Sequence, residues 1–263
     1  MDWKNLERYF DDIPEGFVKE LLLNSKYPWS PLIDLQTHIE RYFTNRDSSG
    51  AIQSKPTVLT DNNGTVKEAS YYISESQILP QDFVDRDHHI FIGKGTLIEA
   101  GATIKNHTIV ESNCEIRQGA YLRGNAFIGE RSVVGHTTEV KQSVFIRHVE
   151  AGHFAYVGDS IIGSYVNLGA GTKISNLEFR TLKAKKKDEF PEIAFRIDKK
   201  NLKTGISKFG AIIGDGCETG CNSVLSPFVF LEPNCWVLPN YCVAKGVYKK
   251  GSMLRQKATR KKP

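Results

Sequence analysis

From Ile92 to Ile146 every sixth residue is aliphatic: Ile92, Ile98, Ile104, Val110, Ile116, Leu122, Ile128, Val134, Val140 and Ile146. Four places after each of the first nine comes a small or β-branched residue, running through Thr96, Ala102, Thr108, Cys114, Ala120, Ala126, Ser132, Thr138 and Val144. A period of six is neither helical nor an ordinary strand alternation. It is the repeat of a β-helix, in which each hexad forms one short side of a coil and the aliphatic side chains stack into an internal ladder. Three strands meeting at corners enclose a narrow prism that takes one large side chain per side and only small ones beside it. The bends need residues that tolerate φ > 0, and Gly93, Gly101, Asn113, Gly119, Gly124, Gly129 and Gly135 are available for them. The repeat resumes at Ile162, Leu168 and Ile174, and again at Ile213, Thr219, Leu225, Leu231, Val237 and Val243. A β-sandwich of short strands would not hold one period for so long.

The chain is therefore expected to be mainly β: a parallel β-helix over residues 86–250, a helical N-terminal unit and lead-in over 1–85, and a basic C-terminal tail over 251–263. Pro14 and Pro31 sit at first-turn positions, the latter after a Ser30 cap, and Phe17, Leu21, Leu22, Leu35, Ile39, Tyr42 and Phe43 form apolar faces. Strand-like pieces from Val66 to Ile78 lead into the first coil, and the N-terminal unit is expected to cap its open edge. Residues 178–207, EFRTLKAKKKDEFPEIAFRIDKKNLKTGIS, break the period and read as a long excursion from the prism.

Composition narrows the setting. No apolar run approaches the roughly 20 residues of a membrane helix, and the N-terminus MDWKNLERYFDD is no signal sequence, so a cytoplasmic protein without membrane contact is expected. Cys114, Cys217 and Cys235 fall at small internal positions of hexads, where a reduced thiol packs as a small hydrophobe. Cys217 and Cys221 have the wrong spacing for zinc and lack a second pair. The net charge of +5 concentrates in Lys183, Lys185, Lys186 and Lys187 and in the tail, from Lys249 and Lys250 to Lys262. Such runs suit an anionic ligand. No nucleic-acid motif accompanies them, so nucleic acid is not the expected partner.

The phase slips between Ile146 and Ile162, which are 16 residues apart, and the irregular stretch holds AGHFAYVGD, residues 151–159. His153 within it is a candidate general base, imidazole being the usual base near neutral pH. The block AGHFAYVGDSIIGSYVNLGAGTKISN, residues 151–176, closely resembles the acetyltransferase half of the bifunctional N-acetylglucosamine-1-phosphate uridyltransferase/glucosamine-1-phosphate N-acetyltransferase family, and KFGAIIGD, residues 208–215, resembles the segment that follows in that family. The resemblance covers roughly residues 90–250. It implies a left-handed coil, a homotrimer with acetyl-CoA between neighbouring prisms, acetyl-CoA as co-substrate with no metal, and an amino-sugar acceptor. His153 then matches the base that deprotonates the attacking amine, and Asn176 an asparagine near the acyl-transfer centre. Arg123 and Lys141 match a sugar-phosphate clamp, and their charges fit an anionic sugar phosphate. Tyr156, Asn167 and Lys208 match further sugar-site positions. The Ala170 N–H matches a contact to the thioester carbonyl, the place of an oxyanion donor. Cys221, Pro239 and Arg255 fall at coenzyme positions, with Lys257 beside the last.

Departures from the family are equally specific. Leu177 stands where it has tyrosine, Cys221 where it has serine and Pro239 where it has alanine, and about thirty residues are inserted before Lys208. Residues 1–85 contain no LxxGxGTRM-like nucleotide loop, so uridylyl transfer is not expected. The same arrangement also resembles C-terminal domains of sugar-phosphate nucleotidyltransferases. Two alternatives to an N-acetyltransferase follow: a non-catalytic β-helix that binds a sugar nucleotide or scaffolds a partner, and a metal-dependent hydratase of the carbonic anhydrase type. For the latter His148 and His153 have a suggestive spacing, but Ser112 stands where the third histidine is needed.

Overall fold

The computed structural model describes residues 3–11, 13–23, 25–60, 66–197 and 200–256. Lys257 and the rest of the basic tail lie outside the described residues. The hexads form three nine-stranded sheets wound into a three-sided parallel β-helix, as the period predicts. Successive strands visit face A, then face C, then face B, before returning to face A one coil on. All three sheets begin with antiparallel strands from the lead-in: Val66–Ile73 on face B, itself paired with Ser54–Thr60, then Gln77–Ile78 on face C and Phe83–Asp85 on face A. These strands, not the helices, occupy the edge of the first coil.

The ladder is buried, but its last step differs from the sequence reading. Ile128 pairs with Phe145, not Ile146, and Phe145 belongs to the interior cluster. Ile146 and Val144 face outward into a second cluster, and Ser143 takes the small internal place. The coil here has 17 residues instead of 18, as the pairs Val134↔Ala151 and Val140↔Val157 show against Ile116↔Val134. Val144↔Ile161 repeats the 17-residue offset, so Phe145 stacks on Ile162. Each shortening falls at the corner between faces B and A, at Lys141–Ser143 and at Gly158–Ser160. The insertion from 178 to 207 leaves the helix at that same corner, between Lys173–Ile174 on face B and Ala211–Ile213 on face A.

The bends also divide differently from expectation. Gly101, Asn113, Gly119 and Gly124 do adopt positive φ, whereas Gly93, Gly129 and Gly135 do not. At those three a β-carbon would run into the backbone of the next coil, so close approach between coils explains them. Many corners carry side chains in the left-handed region, including Phe154 (φ 52°) directly after His153. Each costs about 1–2 kcal/mol, held in place by the ladders on either side.

The helices lie along face A. Helix α1 (Phe17–Leu23) and helix α2 (Ser30–Tyr42) bury Leu21, Leu22, Leu32, Leu35 and Ile39 against the outward Ile109, Phe127, Val144 and Ile161. Phe17 stacks flat on Phe127 at 4.6 Å. Pro31 is in the first turn of α2 as expected, but Ser30 is a helical residue there; its hydroxyl accepts from the Tyr27 N–H at 3.2 Å. Along the B/A corner, α2 meets one coil per turn: the Leu32 carbonyl accepts from Gln142, Gln36 from Asn125, and Glu40 pairs with His107. A four-residue helical step of about 6 Å is near enough to the strand spacing of about 4.8 Å for three contacts to stay in register.

The N-terminal segment is latched onto a later coil. The Asp215 carboxylate accepts from the Asp11 and Ser164 N–H groups, each at 2.7 Å, while its own N–H donates to the Tyr9 carbonyl. Burial outweighs those hydrogen bonds and raises the Asp215 carboxyl from 3.8 to about 6. The native state therefore keeps this proton between about pH 4 and pH 6 where the unfolded chain has lost it, so stability falls as pH rises through that window. Urea denaturation of wild type and the non-titrating Asp215→Asn between pH 4 and pH 7 should show their stability difference shifting toward the variant by about 1–2 kcal/mol, part of the full shift being screened by solvent. A pH-independent difference would remove Asp215 as the cause.

Candidate functional site

Face B presents two outward rows, one on each side of its inward ladder. Arg123, Lys141 and Gly158 occupy one row in successive coils, and Tyr121, Glu139 and Tyr156 the other. Arg123 pairs with Glu139 at 2.8 Å and Lys141 with Asp159 at 3.1 Å. Asn176, just past the Lys173–Ile174 strand, donates its amide to the same Asp159 carboxylate. The short corner at Gly158–Ser160 places Asp159 on the Lys141 side, and the Asp159 N–H donates to the Lys141 carbonyl. A β-carbon at Gly158 would sit 2.7 Å from the Tyr156 hydroxyl and 2.8 Å from the Asn176 amide, so glycine is what lets these two side chains lie over the strand. Burial, then the Glu139 and Asp159 carboxylates, raise the Tyr156 phenol above the ordinary range, which keeps it a protonated donor.

His153 lies round the next corner, at the end of the face C strand Glu150–His153, and Tyr156 opens the following strand on face B. Its imidazole is exposed; its described contacts are a stacked ring at His136, 5.9 Å away, and a tilted one at Phe154. His136 and His153 are register partners. The column continues downward through backbone hydrogen bonds: the carbonyls of His136, His153, Ala170 and Cys221 accept from Phe154, Gly171, Asn222 and Asn240 in turn. His153, Ala170, Cys221 and Pro239 thus share one corner in successive coils.

Beside this column runs a strip without side chains. Gly135, Gly152, Gly169 and Gly220 precede the corner residues in four successive coils, and Leu238 ends the strip. Below it a cleft of about 340 Å³ is lined by Glu218, Gly220, Trp236, Leu238 and Pro239 among others. Arg255 follows the Val237↔Leu254 pair, which puts it one coil below Leu238 and one residue short of the column.

The structure brings together most of the residues singled out in the sequence, but not all. Arg123, Lys141, Tyr156 and Asn176 form one polar cluster across the corner from His153. Asn167 lies on face C, in register with Glu150 and Glu218, on the other side of that corner. Lys208 stands at the neck of the insertion, 5.4 Å over the Phe190 ring, where the Phe209 N–H donates to the Asn176 carbonyl. His148 stacks on Tyr165 at the opposite end of the His153 strand, so the two imidazoles of the hydratase reading point to different corners. Among the described residues no three His, Cys, Asp or Glu side chains converge on one point. Glu139, Asp159 and His136 were not singled out beforehand. Glu139 was findable, since two residues before Lys141 on a strand means the same face.

A family model described as the GMPPB C-terminal domain matches residues 104–208, which include His153 and the polar cluster. A bifunctional sugar-1-phosphate nucleotidylyltransferase/acetyltransferase of Sulfurisphaera tokodaii is 32% identical over 168 residues, covering 57% of this chain and 40% of that protein. The bifunctional protein GlmU of Methanococcus aeolicus is 31% identical over 200 residues, covering 68% of this chain and 46% of its own length. The chain spans less than half the length of either relative. Among solved structures, the Francisella novicida UDP-N-acetylglucosamine acyltransferase is 13% identical and covers 59% of this chain and 54% of its own, at a TM-score of 0.22.

Proposed function

We propose, for a chain homologous to the GlmU-type bifunctional sugar-1-phosphate nucleotidyltransferase/acetyltransferases, that it is an acetyl-CoA-dependent N-acetyltransferase whose acceptor is a phosphorylated or nucleotide-linked amino sugar. The observation that carries this reading is the corner itself. One exposed imidazole separates a polar cluster on face B, in which Arg123 and Lys141 are paired with Glu139 and Asp159, from a side-chain-free strip on face C. An anionic sugar fits the first, and an extended thioester arm fits the second.

In this reading the amine attacks the thioester carbonyl, His153 takes the amine proton, and the new C–N bond forms as the C–S bond breaks. The imidazolium then returns its proton to the departing thiolate. The Ala170 N–H, one coil below His153, supplies the oxyanion contact. Arg123 and Lys141 hold the phosphate, exchanging Glu139 and Asp159 for it, while Tyr156 and Asn176 orient the ring. Residues of neighbouring chains complete the coenzyme site in a homotrimer, with Cys221, Pro239 and Arg255 on this chain's side.

A second reading, binding of a sugar nucleotide without catalysis, is favoured by the fact that both clamp cations are already neutralised by Glu139 and Asp159. A thiol-release assay with acetyl-CoA and glucosamine-1-phosphate, extended to other amino sugars, separates the two. Turnover is expected for the first, and Lys141→Ala should raise the KM for the sugar phosphate about tenfold or more, the worth of one charge-assisted contact, with the KM for acetyl-CoA unchanged. No turnover with any amino sugar, alongside sugar-nucleotide binding, would establish the second reading instead.

A further inference from the structure

Leu238 ends the glycine strip below, and a side chain closes it above. Arg117 follows the Glu115–Ile116 strand on face C and stands one coil above Gly135 in the same outward row, its N–H donating to the Val134 carbonyl where the pair Ile116↔Val134 continues. Its guanidinium does not stay at that level. A β-carbon built on Gly152, two coils below Arg117, would meet Arg117 Nη1 at 4.0 Å. Two coils are about 10 Å of strand spacing, so the arginine reaches that point only by lying extended along the row, across Gly135. Gly135 is accordingly buried, whereas Gly152 and Gly169 are partly open.

Two charge-assisted hydrogen bonds hold the side chain in that pose. Arg117 Nε and Nη2 both donate to one carboxylate oxygen of Glu115, at 2.9 and 2.7 Å, which leaves Nη1 as the edge turned down the row. Glu115 lies two residues earlier on the same strand and therefore on the same face. The proposed function places the thioester carbonyl at Ala170, one coil below His153, with the pantetheine arm further down along Gly169 and Gly220. With the arm below and the carbonyl between, the acyl group points up the strip to the level of Gly152. A carbon at the place of the absent Gly152 side chain touches Nη1 at ordinary van der Waals distance. A second carbon beyond it meets the guanidinium.

We propose that Arg117 sets the length of the acyl group: its guanidinium, held by Glu115, closes the strip one methyl group beyond the reacting carbonyl, so that acetyl is accepted and longer acyl groups are refused. The inference rests on the acetyltransferase reading and on a donor that runs along face C. Arg117 meets the acyl end and determines specificity. Glu115 acts through it and is a positioning residue. Refusal is chemical as well as steric, because a methylene chain pressed against the guanidinium strips water from a charge and offers it no hydrogen bond in return.

Thiol release from acetyl-CoA, propionyl-CoA and butyryl-CoA with one amino-sugar acceptor gives kcat/KM for each donor on the same protein. Wild type should prefer acetyl-CoA to butyryl-CoA by about 100-fold or more, two methylenes at about tenfold or more each. Arg117→Ala should raise the butyryl-to-acetyl ratio at least about tenfold, through gained butyryl transfer. Glu115→Ala should raise it by a smaller factor, with Arg117 present but unanchored. Each ratio compares two donors on one protein, so a loss of stability leaves it unmoved. Acetyl transfer by both variants at the wild-type ratio overturns the proposal, as does a wild type that uses butyryl-CoA as readily as acetyl-CoA. Absence of thiol release from every donor with every amino sugar would instead remove the acetyltransferase reading, and this inference with it.

Discussion

His153→Ala should lower kcat/KM for acetyl transfer by about 10²–10⁴-fold, the range a positioned general base contributes, and leave the fold untouched. The stability half of that expectation follows from exposure: the imidazole packs only against the rings of His136 and Phe154, and no described side chain donates to it or accepts from it. The kinetic half follows from its station between the polar cluster and the glycine strip, the only imidazole next to Tyr156 along the chain. Binding of the sugar phosphate runs through Arg123 and Lys141 and should be retained, so the loss is expected in kcat with KM little changed. Stopped thiol release, with melting temperature as the control, gives both readings. A variant that retains wild-type kcat would remove His153 from the chemistry.

How much of this was legible beforehand depends on which residues are asked. The interior ladder was, because a period of six has one steric solution and Ile92 to Val140 obey it. The error at Ile146 is instructive: Val144, Phe145 and Ile146 are all buried, since face A has a core on both sides, and hydrophobicity alone does not show which of three apolar residues points inward. Covering by α1 and α2 was invisible for the same reason. The reason for each glycine was also mixed, since a φ > 0 bend and a close backbone approach leave the same letter in the sequence. At the site, a motif resemblance located His153, Lys141, Tyr156 and Asn176. It did not show Asp159 as the acceptor that joins Lys141 to Asn176, because that pairing depends on a one-residue deletion at the B/A corner. All the irregularities of the chain that bear on the site, two shortened coils and one long insertion, fall at that corner. A corner is where a coil changes length without breaking a ladder, so variation accumulates there while the faces stay fixed.

The glycine strip yields the sharpest contrast, between Gly135→Ala and Gly152→Ala, two adjacent rungs of the same row. At Gly135 a β-carbon would overlap the carbonyl of Gly152 in the next coil. That separation is set by ladder bonds such as Val133 N–H to the Val149 carbonyl at 2.7 Å, and neither coil can move without opening them. The cost should be about 3 kcal/mol or more, at the upper end of overpacking penalties, read as a drop in the urea midpoint. At Gly152 the nearest atom to a β-carbon is the Arg117 guanidinium at 4.0 Å, and φ is not in the left-handed region. The fold has no need of glycine there, and alanine should be neutral or stabilising by about 0.4–1 kcal/mol through the unfolded chain. Its methyl would nevertheless stand in the strip immediately before His153. Under the acetyltransferase reading the KM for acetyl-CoA should then rise about tenfold, the effect of losing about 1.4 kcal/mol of binding, in a protein at least as stable as wild type. Equal destabilisation by both substitutions would mean that the strip is packing alone. A stable Gly152→Ala protein with unchanged KM would place the coenzyme elsewhere than along face C.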